Sequence, residues 1–564
     1  MQQLQTIYTL TTKCKNCYHC IMTCPVKAIS VIGGQHMIED RLCIKCGACV
    51  SGCPQHAKVV RSDVEVVKRL LASDNPVVAS VDPSYVAFFR GRSYMFLPSA
   101  LRMLGFAHVR EAAEGAKYIT DKSFESGQTG NVCTICAAFV NYAEKYKPDV
   151  RNNLIPVVSP MIAHGRMLKQ DYPGCSVVYI GPCAAKKEEI QKSGNKDAVD
   201  CVITFTEFLS LMKDRGFILE NCMASDFENK YEIGNARHFP VQGGMLKTAG
   251  LSEDENVRAY ISLSGAESIL DFFSEKELAS KYRVIEPSFC NGGCIGSHEF
   301  MRTRNIFLRK ARVIDNAKIY HPEETNKPDI PCETKFQNLN VVSNEVTAGQ
   351  INKVFELTGK TEPEHRLNCG ACGYRTCAAY AVAVVSGMAE IEMCIPYMRR
   401  LAQQRTDMII ETIPSGIVIL DNELSIIKMN PAFQKMFRCN NGILGRRISY
   451  LVDADGYEAL IAGTVELFEA MQTKHGVRYH EILYALKEEK QYVGIYVDVT
   501  KLEYNENQLD MVKRQTLKHA QEFLEHQVSF AQEMAHYLGK STAKSEEIAK
   551  RLIGIYDSEG NNKK

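Results

Sequence analysis

Cysteine occurs 22 times in this chain of 564 residues, and most of those cysteines fall in tight groups. The run CKNCYHCIMTCPVKAI is followed by CIKCGACVSGCPQHA, so the spacing C-x2-C-x2-C-x3-C-P occurs twice. A later run, LNCGACGYRTCAAYAVAVVSGMAEIEMCIP, places Cys369, Cys372, Cys377 and Cys394 at C-x2-C-x4-C-x16-C around an alanine-rich helix. Closely spaced thiolates are soft ligands, suited to iron–sulfur clusters or zinc rather than to hard cations. In a large chain whose N-terminus carries no export signal, metal ligation is the better reading than disulfides. Four more cysteines, Cys136, Cys183, Cys290 and Cys294, stand apart in the middle of the chain. Cys183 and Cys290 directly follow β-rich runs, and carboxyl ends of strands are where α/β sheets build sites.

The duplicated run resembles bacterial ferredoxins, in which the fourth cysteine of each run ligates the other cluster. The resemblance implies one [4Fe-4S] cluster on Cys14, Cys17, Cys20 and Cys53. It implies a second on Cys43, Cys46, Cys49 and Cys24. A zinc ribbon would need only four cysteines at looser spacing. The set Cys369, Cys372, Cys377 and Cys394 suits a third [4Fe-4S] cluster, with a structural zinc as the competing reading.

These ligands need scaffolds, and the length implies roughly three to five domains. The expected class is multidomain α/β and α+β: a ferredoxin-like 2x[4Fe-4S] domain over 1–62, an α/β domain over 63–355, and a small helical [4Fe-4S] domain over 356–400. In the α/β part, NPVVASVDPS and CSVVYIGPC read as buried strands, and DCVITFTEFLSLM as a strand followed by an amphipathic helix. Residues 320–347 are polar and proline-containing, and read as a linker or crossing segment. Over 405–500, two apolar strands flank a turn at Asp421-Asn422 and a helix follows, a pattern that resembles a PAS α/β domain. That resemblance serves ligand sensing and plain dimerisation equally. The remainder, 501–564, reads as a signalling helix or coiled coil, with Leu517, Leu524, Ala531 and Leu538 at heptad spacing and Val528 and Ala535 beside them. No catalytic output domain is read after it.

With 67 basic and 66 acidic residues, charge argues for neither nucleic acid nor an anionic membrane as partner. No window holds eighteen uninterrupted apolar residues, so the chain is read as soluble and cytoplasmic.

The segments CAAFVNYAEKYKPD…SP, GPCAAKKEE and FCNGGCIG resemble the three signature stretches of [FeFe]-hydrogenases, and the resemblance spans roughly residues 1–310. It makes 63–355 an H-cluster domain. The implied cofactor is a [4Fe-4S] cubane joined through one thiolate to a two-iron subsite carrying CO and cyanide. Cys136, Cys183 and Cys290 would ligate the cubane, and Cys294 would both ligate it and bridge to the two-iron unit. Gly292-Gly293 lets backbone approach between two ligands. Lys186 would donate to a cyanide, whereas Lys187 and Glu188 fit a solvated helix face. Pro83 and Ser84 match a segment lining the two-iron subsite.

Heterolytic splitting of H2 leaves a proton to remove. In fast relatives a cysteine precedes the first ligand, and a serine and glutamates carry the proton outward. Here Ile135 holds the cysteine position and Ile155 the serine position, and neither has an exchangeable proton. Glu111 and Glu114 match the outer glutamates, and read equally well as solvated helix charges. Gly181 and Ser288 stand where methionines are usual, and Phe139 where tryptophan is. Together these residues imply a smaller, less protic surround on one side, and slow turnover. Cys133 reads as a buried structural thiol. Cys175, Cys201, Cys222, Cys332 and Cys439 have no assigned role.

The whole order resembles sensory-type [FeFe]-hydrogenases. It implies slow H2 oxidation or binding, with electrons relayed through three accessory [4Fe-4S] clusters to the PAS domain. Expected partners are H2, protons, a ferredoxin-type donor or acceptor, and a kinase, phosphatase or other regulator acting in trans. The alternatives are an ordinary ferredoxin-linked hydrogenase that dimerises through its PAS domain, and an H-cluster protein that binds H2 or CO without turnover.

Overall fold

The computed structural model describes residues 5–500 except 90, 126–129, 252–258, 276, 303–304, 320–327, 342–345 and 487–489. The heptad-patterned tail, 501–564, lies outside the described residues. Two compact units divide the chain, Met1–Ile391 and Glu392–Lys564, so the boundary falls inside the segment expected to form a separate domain over 356–400.

In the first unit the duplicated cysteine run forms two short antiparallel ladders. Strand β1 (Ile7–Thr9) pairs with β4 (Lys58–Val60), and β2 (Ile29–Ile32) with β3 (Gln35–Ile38). The backbone repeats as the sequence does. Left-handed φ at Asn16, Tyr18 and Lys27 recurs at Lys45, Gly47 and His56, the same 29 residues on that separate Cys14 from Cys43. Such φ values are costly for residues with a Cβ, so their repetition marks a loop path that both copies must follow.

The central α/β part is built on a parallel sheet in the order β6-β5-β7-β8. Its strands are β5 (Val77–Val81), β6 (His108–Glu111), β7 (Ser176–Ile180) and β8 (Cys201–Ile203). Alternation along the strands feeds two apolar cores on opposite faces. Ala79, Val81, Val178 and Ile180 join Phe205 and Phe208 on one face, while Val78, Val177 and Val202 join Met161 and Ile162 on the other. A separate parallel pair, β9 (Tyr260–Ser264) and β10 (Val284–Ser288), lies beside the sheet's sequence partners. The chain leaves β5 at Asp82, β7 at Gly181 and β10 at Phe289, which brings the ends of three strands into use. The region read as a linker is a strap where it is described. Val158 N donates to Cys332 O and Thr334 N to Pro156 O, and Leu339 N and Val341 N donate to the carbonyls of Glu144 and Lys145.

The second unit holds a five-stranded antiparallel sheet in the order β12-β11-β15-β14-β13. The strands are β11 (Gly416–Leu420), β12 (Ile426–Met429), β13 (Leu467–Lys474), β14 (Val477–Leu486) and β15 (Gln491–Asp498). Its core is filled by rings: Phe433, Phe437, Tyr457, Tyr479 and Tyr496 are all buried together. Among the described residues no helix is long and apolar enough to cross a membrane.

Candidate functional site

Each central cysteine sits where an element starts or ends. Cys136 is extended and caps the helix Ala137–Tyr146; Cys183 follows β7, Cys290 follows β10, and Cys294 opens a short helical turn. The four are mutual electrostatic neighbours. Burial raises each thiol pKa, and neighbouring sulfurs add to it: Cys136 acts on Cys183, Cys136 and Cys183 on Cys290, and all three on Cys294. Yet all four remain partly accessible, as thiols facing an internal space are. Four converging thiolates in a dry site are tenable when an iron core neutralises them, so the donor set fits a cubane. Among the described residues, no three His, Cys, Asp or Glu side chains stand close enough to share one metal ion.

Glycines shape the surround. Gly293 has φ +95°, and a Cβ there would meet Pro240 O at 2.5 Å and Gln242 N at 2.8 Å. The loop between Cys290 and Cys294 therefore lies directly on neighbouring backbone. Gly181 is equally constrained, because a Cβ would lie 2.6 Å from the Tyr179 ring and 2.9 Å from Asp82 Cβ. The space that reads as merely smaller in sequence is occupied by these two side chains. Tyr179 Oη donates to Asp82 Oδ2, while Asp82 Oδ1 accepts from Ser84 N at 2.9 Å and Ser84 Oγ at 2.6 Å. Ser84 thus holds Asp82, and Asp82 is an electrostatic neighbour of Cys294. Pro83 is buried between them.

Lys186 is buried, with Nζ 3.4 Å from Glu189 Oε2 and 5.6 Å from the Tyr179 ring centroid. Burial opposes its charge; Glu189, Cys183, Cys294 and Asp82 more than offset that and hold its pKa above the lysine norm. Lys187 corrects the expectation of a solvated face. It is fully buried and pairs with Asp63 and Glu207, both at 2.9 Å, because those distant carboxylates meet at this helix start. Glu188 is part-exposed, 3.5 Å from Lys45.

Ile135 and Ile155 are buried in one apolar cluster with Val157, Met161 and Cys133. Cys133 is fully enclosed; burial first, then the Glu286 carboxylate, push its thiol well up. Glu286 is itself held by the backbone N–H groups of Met245 and Leu246 at 3.2 and 3.0 Å.

Glu111 and Glu114 are not solvated helix charges, since both are buried. Glu111 ends β6 and accepts from Arg237 Nη2 at 2.5 Å and Asn229 Nδ2 at 2.9 Å. Glu114 accepts from Arg110 Nε and Nη2 at 2.8 and 2.9 Å, from His164 Nε2 at 3.1 Å, and from the N–H groups of Lys230 and Tyr231. Burial would raise its carboxyl, but His164 and Arg110 hold it below the usual range. Ser80 Oγ lies 2.7 Å from His164 Nδ1, which leaves Nε2 to donate.

The ferredoxin thiols fall into two sets. Cys20 has Cys14, Cys17 and Cys53 as electrostatic neighbours, and Cys49 has Cys46, Cys24 and Cys43. Buried Lys58 acts on both sets; its Nζ donates to Thr9 Oγ1 at 2.5 Å and to His36 O. Cys46 is in turn a neighbour of Cys136 and Cys290, so the second set adjoins the central one. The helix behind Cys136 secures that approach. Lys145 Nζ donates to Cys43 O at 2.7 Å, Tyr146 Oη to Leu42 O at 2.6 Å, and Asn141 Nδ2 to Ile44 O at 3.4 Å. In the last set, Asn368 Oδ1 accepts from Cys377 N at 2.8 Å and closes the loop that carries Cys369 and Cys372. Cys377 and Cys394 are buried, Cys372 is partly so and Cys369 is exposed. Of the cysteines without a role, Cys175, Cys201 and Cys222 are buried in the apolar cores.

Asp82, Tyr179 and His164 were not singled out from sequence. Asp82 left the plainest signal, a carboxylate directly between a buried strand and Pro83.

This arrangement, strand ends presenting four cysteines beside a dicluster module, defines a class of iron–sulfur proteins. Family comparison agrees. The iron only hydrogenase large subunit, C-terminal domain, matches 75–297; a 4Fe-4S dicluster domain matches 13–58, an Fe-S cluster family 366–396, and a PAS domain 404–471. Residues 75–297 are thus a domain of the iron-only, or [FeFe]-, hydrogenase type. It is 35% identical over 179 residues to the cytosolic Fe-S cluster assembly factor of Kluyveromyces lactis, covering 31% of this chain and 37% of that protein. It is 26% identical over 282 residues to iron hydrogenase 1 of Clostridium pasteurianum, covering 40% and 49%. A ferredoxin-like protein in the nif region of Nostoc sp. is 32% identical over 82 residues, covering 13% of this chain and 71% of that one. The chain thus spans half or less of the first two relatives' length.

Proposed function

We propose that this protein is a slow, H2-responsive [FeFe]-hydrogenase that relays electrons through three accessory [4Fe-4S] clusters toward its PAS domain. One observation carries the reading. Four thiols converge beside the second ferredoxin set with buried Lys186 and Asp82 as electrostatic neighbours, and Ile135, directly before Cys136, is buried with Ile155 in an apolar cluster.

Cys136, Cys183, Cys290 and Cys294 would hold the H-cluster, which when bound supplies heterolytic H2 cleavage and accepts the electrons. Lys186 Nζ keeps a positive charge in a dry pocket and can donate to an anionic diatomic ligand. Glu189, 3.4 Å away, pairs with that ammonium, and Asp82, fixed by Ser84 and Tyr179, adds negative charge nearby. Ile135 and Ile155 offer no atom able to take a proton, so departure on that side is slow. A sensor tolerates this, because it needs occupancy and slow exchange rather than flux. An output regulator in trans and a PAS-mediated dimer belong to the same reading and rest on family analogy.

The likeness to an Fe-S cluster assembly factor favours a second reading, a cluster-bearing protein without H2 chemistry. Infrared spectra of the matured protein under H2 separate them. CO and cyanide bands are expected; their absence after maturation by a competent apparatus overturns the hydrogenase reading. Removal of 405–564 is expected to abolish a partner regulator's response to H2, and an unchanged response refutes the signalling role.

A further inference from the structure

The loop CGACGYRTC, residues 369–377, does not stand free of the ferredoxin module. Gly373 has φ +87°, and a Cβ there would meet Ile21 Cβ at 2.9 Å and Tyr18 O at 3.0 Å, so this loop lies flush against the helix His19–Thr23. Lys27 clamps the contact. Its Nζ donates to Ile21 O at 2.7 Å, Met22 O at 3.2 Å and Gly373 O at 3.2 Å, and sits 5.8 Å from the Tyr374 ring centroid. A second attachment comes from Glu390, whose carboxylate accepts from Gly33 N at 2.5 Å and Gly34 N at 3.2 Å, with Val31 N donating to Met388 O at 3.1 Å.

The contact has a direction. Tyr374 is buried with Cys372 and Cys24 as its electrostatic neighbours, and Lys27 has the same two. Cys24 belongs to the second ferredoxin set, the one that adjoins Cys136 and Cys290. Cys20 of the first set lies in the contacted helix, but neither Tyr374 nor Lys27 has a first-set thiol among its electrostatic neighbours.

We propose that the second ferredoxin cluster, on Cys24, Cys43, Cys46 and Cys49, is a branch point that exchanges electrons directly with the Cys369–Cys372–Cys377 cluster across Tyr374 and Lys27, bypassing the first. The transfer moves one electron, with no bond made or broken and no proton moved. The donor is the reduced second cluster and the acceptor the oxidised third. This deepens the proposed function, on whose cluster assignment it rests, but does not depend on H2 chemistry.

The test uses the full chain reconstituted with iron and sulfide and reduced with dithionite, so it can succeed where the H2 reading fails. Electron paramagnetic resonance reads the spin–spin broadening of the third cluster's signal. Broadening is expected to persist in Cys17→Ala, which removes the first cluster, and to collapse in Cys46→Ala, which removes the second. Gly373→Val keeps every ligand but levers the loop off the helix; with iron content intact it is expected to lose most of the broadening and to slow third-cluster reduction about tenfold. Broadening that survives Cys46→Ala but vanishes in Cys17→Ala overturns the proposal, as does unchanged broadening in an iron-replete Gly373→Val protein.

Discussion

The two lines of residues that lead from the central thiol set differ in polarity. On one, Tyr179, Asp82, Ser84 and Lys186 form a buried chain of donors and charges. On the other, Ile135 and Ile155 sit in an apolar cluster; Glu111 and Glu114, elsewhere in the domain, are clamped by arginines. The same domain thus holds buried charge at its site and only apolar carbon at Ile135 and Ile155. The glutamates teach the finer lesson. Buried acids bound by guanidinium groups are poor carriers, because taking a proton would strand the partner charge.

Breaking the apolar wall should have the largest effect. The double variant Ile135→Cys, Ile155→Ser is expected to raise viologen-coupled H2 oxidation by about 10²-fold, and more than the single variants combined, since a relay needs both members. An Ile135→Cys variant that matches the double would show that Ile155 is not part of the barrier. Next, Glu114→Ala should destabilise the first unit by about 3 kcal/mol, seen in its denaturant midpoint, because it removes a partner of buried Arg110 and His164. A change below about 1 kcal/mol would free Glu114 for a carrier's role.

The locked network also sets a pH dependence. Burial holds the His164 pKa below the ordinary 6.5, so the folded state refuses a proton that the unfolded chain accepts. Stability should therefore fall as pH drops through about 6.5 toward the lowered folded value. Glu114 and Asp171, also held low, keep their contribution until pH falls through the acid side of the carboxylate range. A melting temperature flat from pH 7 to 5 would contradict a neutral buried His164. The smallest effect is expected at Lys58. Lys58→Met should lower both ferredoxin potentials by on the order of 50 mV, about 1 kcal/mol for one electron, in redox titrations. A shift confined to one cluster would show that the ammonium serves only that set.

Much of this was legible in sequence for a local reason. Cysteine spacing records ligand geometry within a few residues, and alternation in VVASV and SVVYI records two-sided burial. What escaped depends on partners far along the chain. Glu111 meets Arg237 across 126 residues, and Lys187 meets Asp63 across 124, so neither burial could be read from neighbours. Tyr179 escaped because, within a strand, a tyrosine reads as core, and its hydroxyl finds Asp82 only once two strands lie side by side.

The 29-residue repeat of left-handed turns makes the ferredoxin module symmetric by origin, two sockets cut to one pattern. Its surroundings are not symmetric. The helix behind Cys136 reaches the second socket through Lys145 and Cys43 O, and Lys27, three residues past Cys24, holds the Cys372 loop, while Lys58 acts on both sockets. In circuit language, on the proposed electron route a cluster in the first socket would act less as wire than as a capacitor, storing charge beside a junction.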